Sequence, residues 1–245
     1  MGDQSKTARW GLRIAVLALA VLALSIIALR YDLLAFRVPL LGIAVAGLVG
    51  LVALILSLIG LIATLTGKKS GTLTAVLGLV IAVVAMVPLS TSVIKGRTVP
   101  PIHDISTDLA NPPQFVDVAA LRADANPLDR KEPANLAELQ AKAYPALVTQ
   151  ELNVPAGVVF EAARDVARDM GWQIVAATPE TGLIEATAIT GLLRFKDDVA
   201  IRIVDNGTGS KLDIRSVSRV GMSDLGANAA RIETFLAALK EKLAV

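Results

Sequence analysis

Apolar positions crowd into the front of the chain as three nearly unbroken runs, residues 14–29, 38–65 and 73–94. A helix needs about 20 apolar residues to cross a bilayer. The second and third runs meet that length. The first does when residues 11–13 are counted and Arg13 extends its charge to the interface. Its basic start also resembles a signal peptide. No small-x-small cleavage site follows it, however, and two further runs come close behind, so it reads as an anchor. Trp10, Tyr31 and Phe36 stand where interfacial aromatics are expected. In the second run, Gly42, Ala46 and Gly50 are spaced to let another helix approach closely.

Beyond residue 98 the pattern changes. Residues 99–144 hold six prolines and read as an extended connector lying along a domain surface, with a short helix at 134–143. A strand is expected at 146–153. A helix follows from Pro155 to Met170, with Val159, Ala163, Val166 and Met170 on one face and Gly171 as its stop. Strands are expected at 172–178, 183–190, 198–205 and 211–220. In the third of these, Val199, Ile201 and Ile203 face one way, and Asn206-Gly207 marks the turn after it. A last helix is capped by Ser223, with Asp224 in its first turn. The order is strand, helix, four strands, helix. It predicts an α+β domain with an antiparallel sheet packed on two helices, helix-grip-like, with a ferredoxin-like sandwich as the alternative. The domain plan is a three-helix transmembrane anchor at 1–97, a proline-rich connector at 98–144 and a soluble α+β domain at 145–245.

Composition sharpens this plan. The chain is 54% hydrophobic and carries a net charge of +2. Through Ile94 there are seven basic and two acidic residues; from Lys95 onward there are seventeen basic and twenty acidic. The basic excess therefore flanks the apolar runs, the soluble domain is mildly acidic, and a nucleic-acid partner is disfavoured. Cysteine is absent, which excludes disulfides, thiol nucleophiles and cysteine–zinc sites. No ionisable residue lies inside the apolar runs, which argues against a transporter. With the N-terminus inside, the inner side carries Lys6, Arg9, Arg13, Lys68 and Lys69 against Arg30, Arg37, Lys95 and Arg97 outside. The bias favours an extracytoplasmic soluble domain.

Several segments of the connector and domain carry a joint signature: Ile102-His-Asp-Ile-Ser-Thr-Asp108 with Asn111-Pro-Pro113, Met170-Gly-Trp172, Gly182-Leu-Ile-Glu-Ala-Thr187, Phe195-Lys-Asp-Asp-Val199, and the stretch from Arg215 to Arg231. Together they resemble the bacterial and plant domain-of-unknown-function family fourteen-ninety-nine, in its membrane-anchored form, over roughly the last three-fifths of the chain. The family often has an aromatic residue where Leu192 or Leu193 stands and arginine where Met222 stands. The resemblance implies a domain but brings no activity, cofactor or substrate.

Two constellations carry candidate chemistry. His103, the one histidine, stands beside Asp104 and Asp108, a combination that suits a general base. The same residues suit a polar strap that caps turns. Arg202, Arg215, Arg219 and Arg231, with Asp224 and Asn228, suit an anion such as a phosphate headgroup. Internal pairing with Asp197, Asp198, Asp213 and Asp224 is the favoured reading, since the acids are numerous enough to neutralise the arginines. No metal site or cofactor motif is expected. The reading is a multi-pass protein of the bacterial inner membrane and cell envelope, its domain periplasmic, binding a lipid or a protein without catalysis. The alternative is a membrane-tethered enzyme using His103 with its adjacent carboxylates.

Overall fold

The computed structural model describes residues 3–67, 69–123, 125–131 and 133–245. Lys68, counted above in the charge bias, lies outside them. The chain divides into two compact units: one runs through Ile94 and takes in Leu192–Arg194, and the other comprises Lys95–Gly191 and Phe195–Val245.

The first unit contains α1 (Lys6–Arg30), α2 (Arg37–Leu65) and most of α3 (Thr72–Thr98). All three are long and apolar enough to cross a membrane. Helix α1 starts earlier than its apolar run because Ser5 caps it, its hydroxyl accepting from the Ala8 amide at 3.2 Å. Arg13 then lies over the Trp10 ring at 5.3 Å, so cation and aromatic share one level of the helix. The helices meet along small residues. Ala8, Gly11, Ala15 and Ala18 of α1 are buried, as are Ala46, Gly50, Ala53, Ser57 and Gly60 of α2 and Ala75, Gly78 and Ala82 of α3. The ridge foreseen from Gly42 to Gly50 thus continues to Gly60. A Cβ on Gly60 would fall 2.6 Å from the Ala8 backbone nitrogen, so the helices pack backbone to backbone there. Lipid gives apolar helices no hydrophobic drive to associate, and close van der Waals contact of this kind replaces it. Leu, Val and Ile are left facing outward. The Ser5 amide donates to the Ser70 carbonyl and the Ser70 amide to the Asp3 carbonyl, which ties the N-terminal segment to the α2–α3 turn.

The second unit is built on one antiparallel sheet: β1 (Asp104–Ser106), β2 (Gln150–Leu152), β3 (Gln173–Thr178), β4 (Leu183–Ile189), β5 (Lys196–Asp205) and β6 (Ser210–Ser218). The order is β1-β6-β5-β4-β3, and β2 also pairs with β6. Helices α5 (Ala156–Asp169) and α6 (Ala227–Leu243) pack on it, while the short α4 (Leu136–Ala143) and a 3-10 turn (Val118–Leu121) lie between β1 and β2. Strands β3 to β6 form an uninterrupted meander and α6 follows all of them. This is the helix-grip-like layout; a ferredoxin-like fold would insert its second helix before the last strand.

Alternation sets the apolar face. Val199, Ile201 and Ile203 of β5 point the same way as Ile184 and Ala186 of β4 and Leu212 and Ile214 of β6, as the register requires. They meet Val159, Ala163 and Val166 of α5 and Ile232, Phe235 and Leu239 of α6. Trp172 stacks on Phe235 with ring centroids 5.4 Å apart. Burying a side chain such as Phe235 contributes about 1.5–3 kcal/mol.

Three local expectations change. The strand expected at 146–153 shrinks to β2, because Leu147 turns into the core and its amide closes a turn on the Tyr144 carbonyl. The connector is not merely extended, since β1 joins the sheet. Asp224, not Ser223, caps α6: its two oxygens accept from the Gly226 and Asn228 amides at 2.8 and 2.7 Å, whereas Ser223 accepts from Leu225.

Candidate functional site

The sheet face turned away from the helices is also buried. The register places Glu185 beside Ala200 and Arg215, and Thr187 beside Asp198 and Val217. Over this face runs the connector, and the layer between them is made of ion pairs rather than hydrocarbon. Arg215, 1% exposed, grips Asp104 with Nε at 3.1 Å and Nη2 at 2.7 Å. It also donates to the Pro113 and Leu128 carbonyls and lies over the Phe115 ring. Arg130 reaches the same carboxylate. Asp198, fully buried, accepts from Arg219 at 2.9 and 2.8 Å, from the Thr187 hydroxyl at 2.7 Å and from Arg122. Arg202 joins Asp213 at 2.8 Å to Asp108 at 2.9 Å, while Thr107 and Thr149 donate to Asp213. Glu185 has no arginine; its two oxygens collect the amides of Val116, Asp117 and Val118.

Local sequence explains the positions. In β5 and β6, alternation that sends valine and isoleucine to the helices sends Asp198, Arg202, Asp213 and Arg215 to the opposite side. The prolines of the connector keep it from folding away, and its carbonyls at 113 and 128 accept from Arg215 and that at 121 from Arg219.

The six residues proposed for an anion do not converge. Arg202, Arg215 and Arg219 lie in the connector-side layer. Asp224, Asn228 and Arg231 lie on the helix side of the sheet. There Arg231 pairs with Asp197 and donates to Ser216 and Asn228, and Asn228 donates to the Ser218 hydroxyl and the His103 carbonyl. Internal pairing joins Arg231, Arg219 and Arg202 to Asp197, Asp198 and Asp213 respectively. Asp224 has a capping role instead.

The other constellation stays together only in part: His103 and Asp104 line one cleft, and Asp108 is not among its lining residues. The His103 ring lies 3.4 Å from the Met222 carbonyl, in a cleft of about 120 Å3 also lined by Asn126, Asp129, Arg130 and Lys131. Asp104 is engaged by two arginines. Asp108 accepts from the Ala110 and Asn111 amides and from Arg202. Among the described residues, no group of three or more histidine, aspartate and glutamate side chains is arranged to hold a metal ion.

Sequence reasoning did not single out Glu185, Arg122 or Arg130. The available signal was a charge on the outer row of a strand beside a proline-rich segment.

Burial raises two carboxylates, yet their net shifts are opposite. Burial alone would raise Asp198, but hydrogen bonds from Arg219, Thr187 and Arg122 outweigh it and hold the carboxyl below its ordinary value. Burial, reinforced by the nearby Asp197 charge, pushes Asp224 up despite the two amides it accepts. A raised carboxyl favours the folded state when protonated. The Asp224 contribution is therefore greatest below the ordinary value of about 3.9 and declines as pH rises toward its folded value. The expected result is that the melting temperature of the wild type relative to Asp224→Asn falls as pH rises from about 4 toward neutrality. Melting curves of both proteins across that range check it. A pH-independent difference would refute the raised carboxyl.

Two open grooves lie on the surface of the second unit. One, about 360 Å3, is lined by Phe160, Ile203 and the β3–β4 turn. The other, about 270 Å3, lies between α6 and the ends of β3 and β4, lined by Met170, Trp172, Ala188, Ile189, Ala230 and Thr234.

Among curated proteins, no sequence matches the chain. The family model described as "Protein of unknown function (DUF1499)" matches residues 104–239, from the strand that carries Asp104 to the last core leucine of α6. More than half of the chain is thereby covered, and the protein belongs to the DUF1499 family.

Proposed function

We propose that the protein is a membrane-anchored binding module that recognises a protein partner through the groove at Trp172 and catalyses no reaction of its own. The observation that carries this reading is where the charges go. Asp104, Asp198, Asp213 and Glu185, with Arg122, Arg215 and Arg219, are committed to one another or to the backbone of the connector. A catalyst needs such groups facing a substrate.

The groove argues for the class of partner. The space between sheet and helices is filled by Phe235, Ile232, Leu239 and Trp172, so an acyl chain finds no interior there. At about 270 Å3 the groove is smaller than the usual small-molecule site of about 300–1,000 Å3. It suits one apolar anchor side chain from another protein, against a floor held rigid by the Trp172–Phe235 stack.

We place the module in a bacterial inner membrane with the domain outside the cytoplasm. Support comes from the basic residues near the N-terminus and from Lys69, which flank the backbone bonds joining residues 3–5 to Ser70.

The test uses the full chain in its own membrane, with benzoylphenylalanine in place of Thr234 at the groove or of Glu233 beside it. The expected result is one discrete protein adduct from position 234, absent from position 233 and abolished by Ala230→Trp, which fills the groove. An adduct to lipid alone, or one indifferent to Ala230→Trp, would sink the reading.

A further inference from the structure

The two edges of the sheet are finished differently. On one side β6 is covered almost end to end, by β2 along residues 210–212 and by β1 along 215–217. On the other side β3 pairs only with β4. Among the described residues, one backbone bond beyond that pairing involves residues 173–178, and it is local, from the Thr181 amide to the Thr178 carbonyl. The outer row of β3 amides and carbonyls is thus open.

Open edges are normally blunted by charge, proline or irregularity. The β3 sequence, Gln-Ile-Val-Ala-Ala-Thr, has neither charge nor proline; its one irregularity is the register shift at Val175. Its apolar side chains are also incompletely covered. Ile174 and Ala177 pack on the rim of the core but are only partly buried, and Val175 is 36% exposed.

We propose that β3 pairs antiparallel with β3 of a second copy of this chain, across a two-fold axis between Val175 and Ala176. An extended strand is the chemistry that satisfies an open edge. The strand is complementary to itself in that register. Ile174 falls opposite Ala177, Val175 opposite Ala176 and Gln173 opposite Thr178, so large meets small and no like charges meet. The row of Ile174 and Ala177 continues across the axis and closes the core rim of both copies. A self-complementary patch of this kind is what a two-fold interface requires. The apolar helices confine copies to one plane, which raises their effective concentration for a contact of modest size. Trp172 of the α6 groove adjoins Gln173, but the inference rests on the β3 edge itself and does not depend on the groove having a partner.

The natural chain contains no cysteine, so introduced pairs report alone. In the proposed register residues 173 and 178 of different copies are directly opposed, about 4.5–5.5 Å apart at Cα, within the range a disulfide bridges. Like positions are five residues out of step, about 16 Å apart. The expected result is that full-length Gln173→Cys/Thr178→Cys in its membrane, mildly oxidised, forms a covalent dimer, while each single variant stays monomeric. A double variant that remains monomeric, or that bonds to a different protein, overturns the proposal. So do single variants that cross-link as well as the double. A second measurement leaves the edge uncut: Val175→Lys places two cations beside the axis. It should lower the dimer fraction of the detergent-solubilised chain at least tenfold with an unchanged melting temperature; an unchanged dimer fraction, or a wild-type chain that is monomeric throughout, refutes the pairing.

Discussion

Asp198→Ala is expected to destabilise the soluble unit by about 3–5 kcal/mol, the usual cost of leaving buried charge without its partner. At about 2–4 °C per kcal/mol for a domain of this size, the melting temperature should fall by about 6–20 °C. The carboxylate is fully buried and shared by two guanidinium groups, one of which, Arg122, has a side chain only 3% exposed. Removing it strands Arg122 in a buried layer and Arg219 at the partly exposed rim of that layer, and it also frees the Thr187 hydroxyl. The cost lies in the uncompensated charge rather than in the attraction of the pair. Adding Arg122→Leu to Asp198→Ala should therefore recover part of the loss, since an apolar side chain tolerates the site that a lone guanidinium does not. Thermal melting of the full chain in detergent measures both variants. A fall of less than about 2 °C for Asp198→Ala would show that the two arginines are held by something else.

This layer explains why the domain was only half legible in its sequence. The three apolar runs became α1, α2 and α3, and the alternation of Val199, Ile201 and Ile203 placed β5 correctly against the helices. Periodicity identifies the apolar row of a strand. It does not say what covers the other row. Arg202 and Arg215 read either as internally paired or as ligand-facing, and the sequence does not say which acid meets which arginine because partners are remote: Arg215 and Asp104 are 111 residues apart. Adjacency in sequence likewise does not say what a side chain meets. His103, Asp104 and Asp108 are close in the chain, yet β1 and the turn after it deliver the two carboxylates to Arg215 and Arg202. Asp224 was assigned to the first turn of α6, but Gly226, at a φ of +83°, starts the helix later and leaves Asp224 outside it as the cap.

The polar layer also ties the connector to a single register on the sheet. An apolar strap can slide along an apolar face at little cost. A strap held by Asp104 to Arg215 and Arg130, and by the carbonyls of Pro113, Leu121 and Leu128 to arginines of β6 and its extension, is fixed at several separate points, and sliding it would break these bonds together. The family match begins at Asp104, so it includes this strap with the domain that it covers.

Glu185→Ala should release one segment of that strap while leaving the sheet intact. The Glu185 side chain is fully buried, and its oxygens accept from Val116, Asp117 and Val118 at 2.9, 2.9 and 3.2 Å. Three amides converge on one anion at the entry to the 3-10 turn, and each charge-assisted bond contributes about 1.5–3 kcal/mol where it is made. Their loss is not additive, and a net cost of about 3 kcal/mol corresponds to roughly a hundredfold faster amide exchange at 116–118. Glu185→Gln should recover little of this, because the carboxamide offers one oxygen to three donors and turns its own N–H groups toward an amide. Hydrogen exchange read by mass spectrometry on the full chain separates this local opening from global loss. Exchange should rise across 114–122 and remain slow in β5 and β6, whereas Asp198→Ala should speed both. Unchanged exchange at 116–118 in Glu185→Ala would mean that the strap is pinned by its arginine contacts alone, and the carboxylate would then have no part in closing the face.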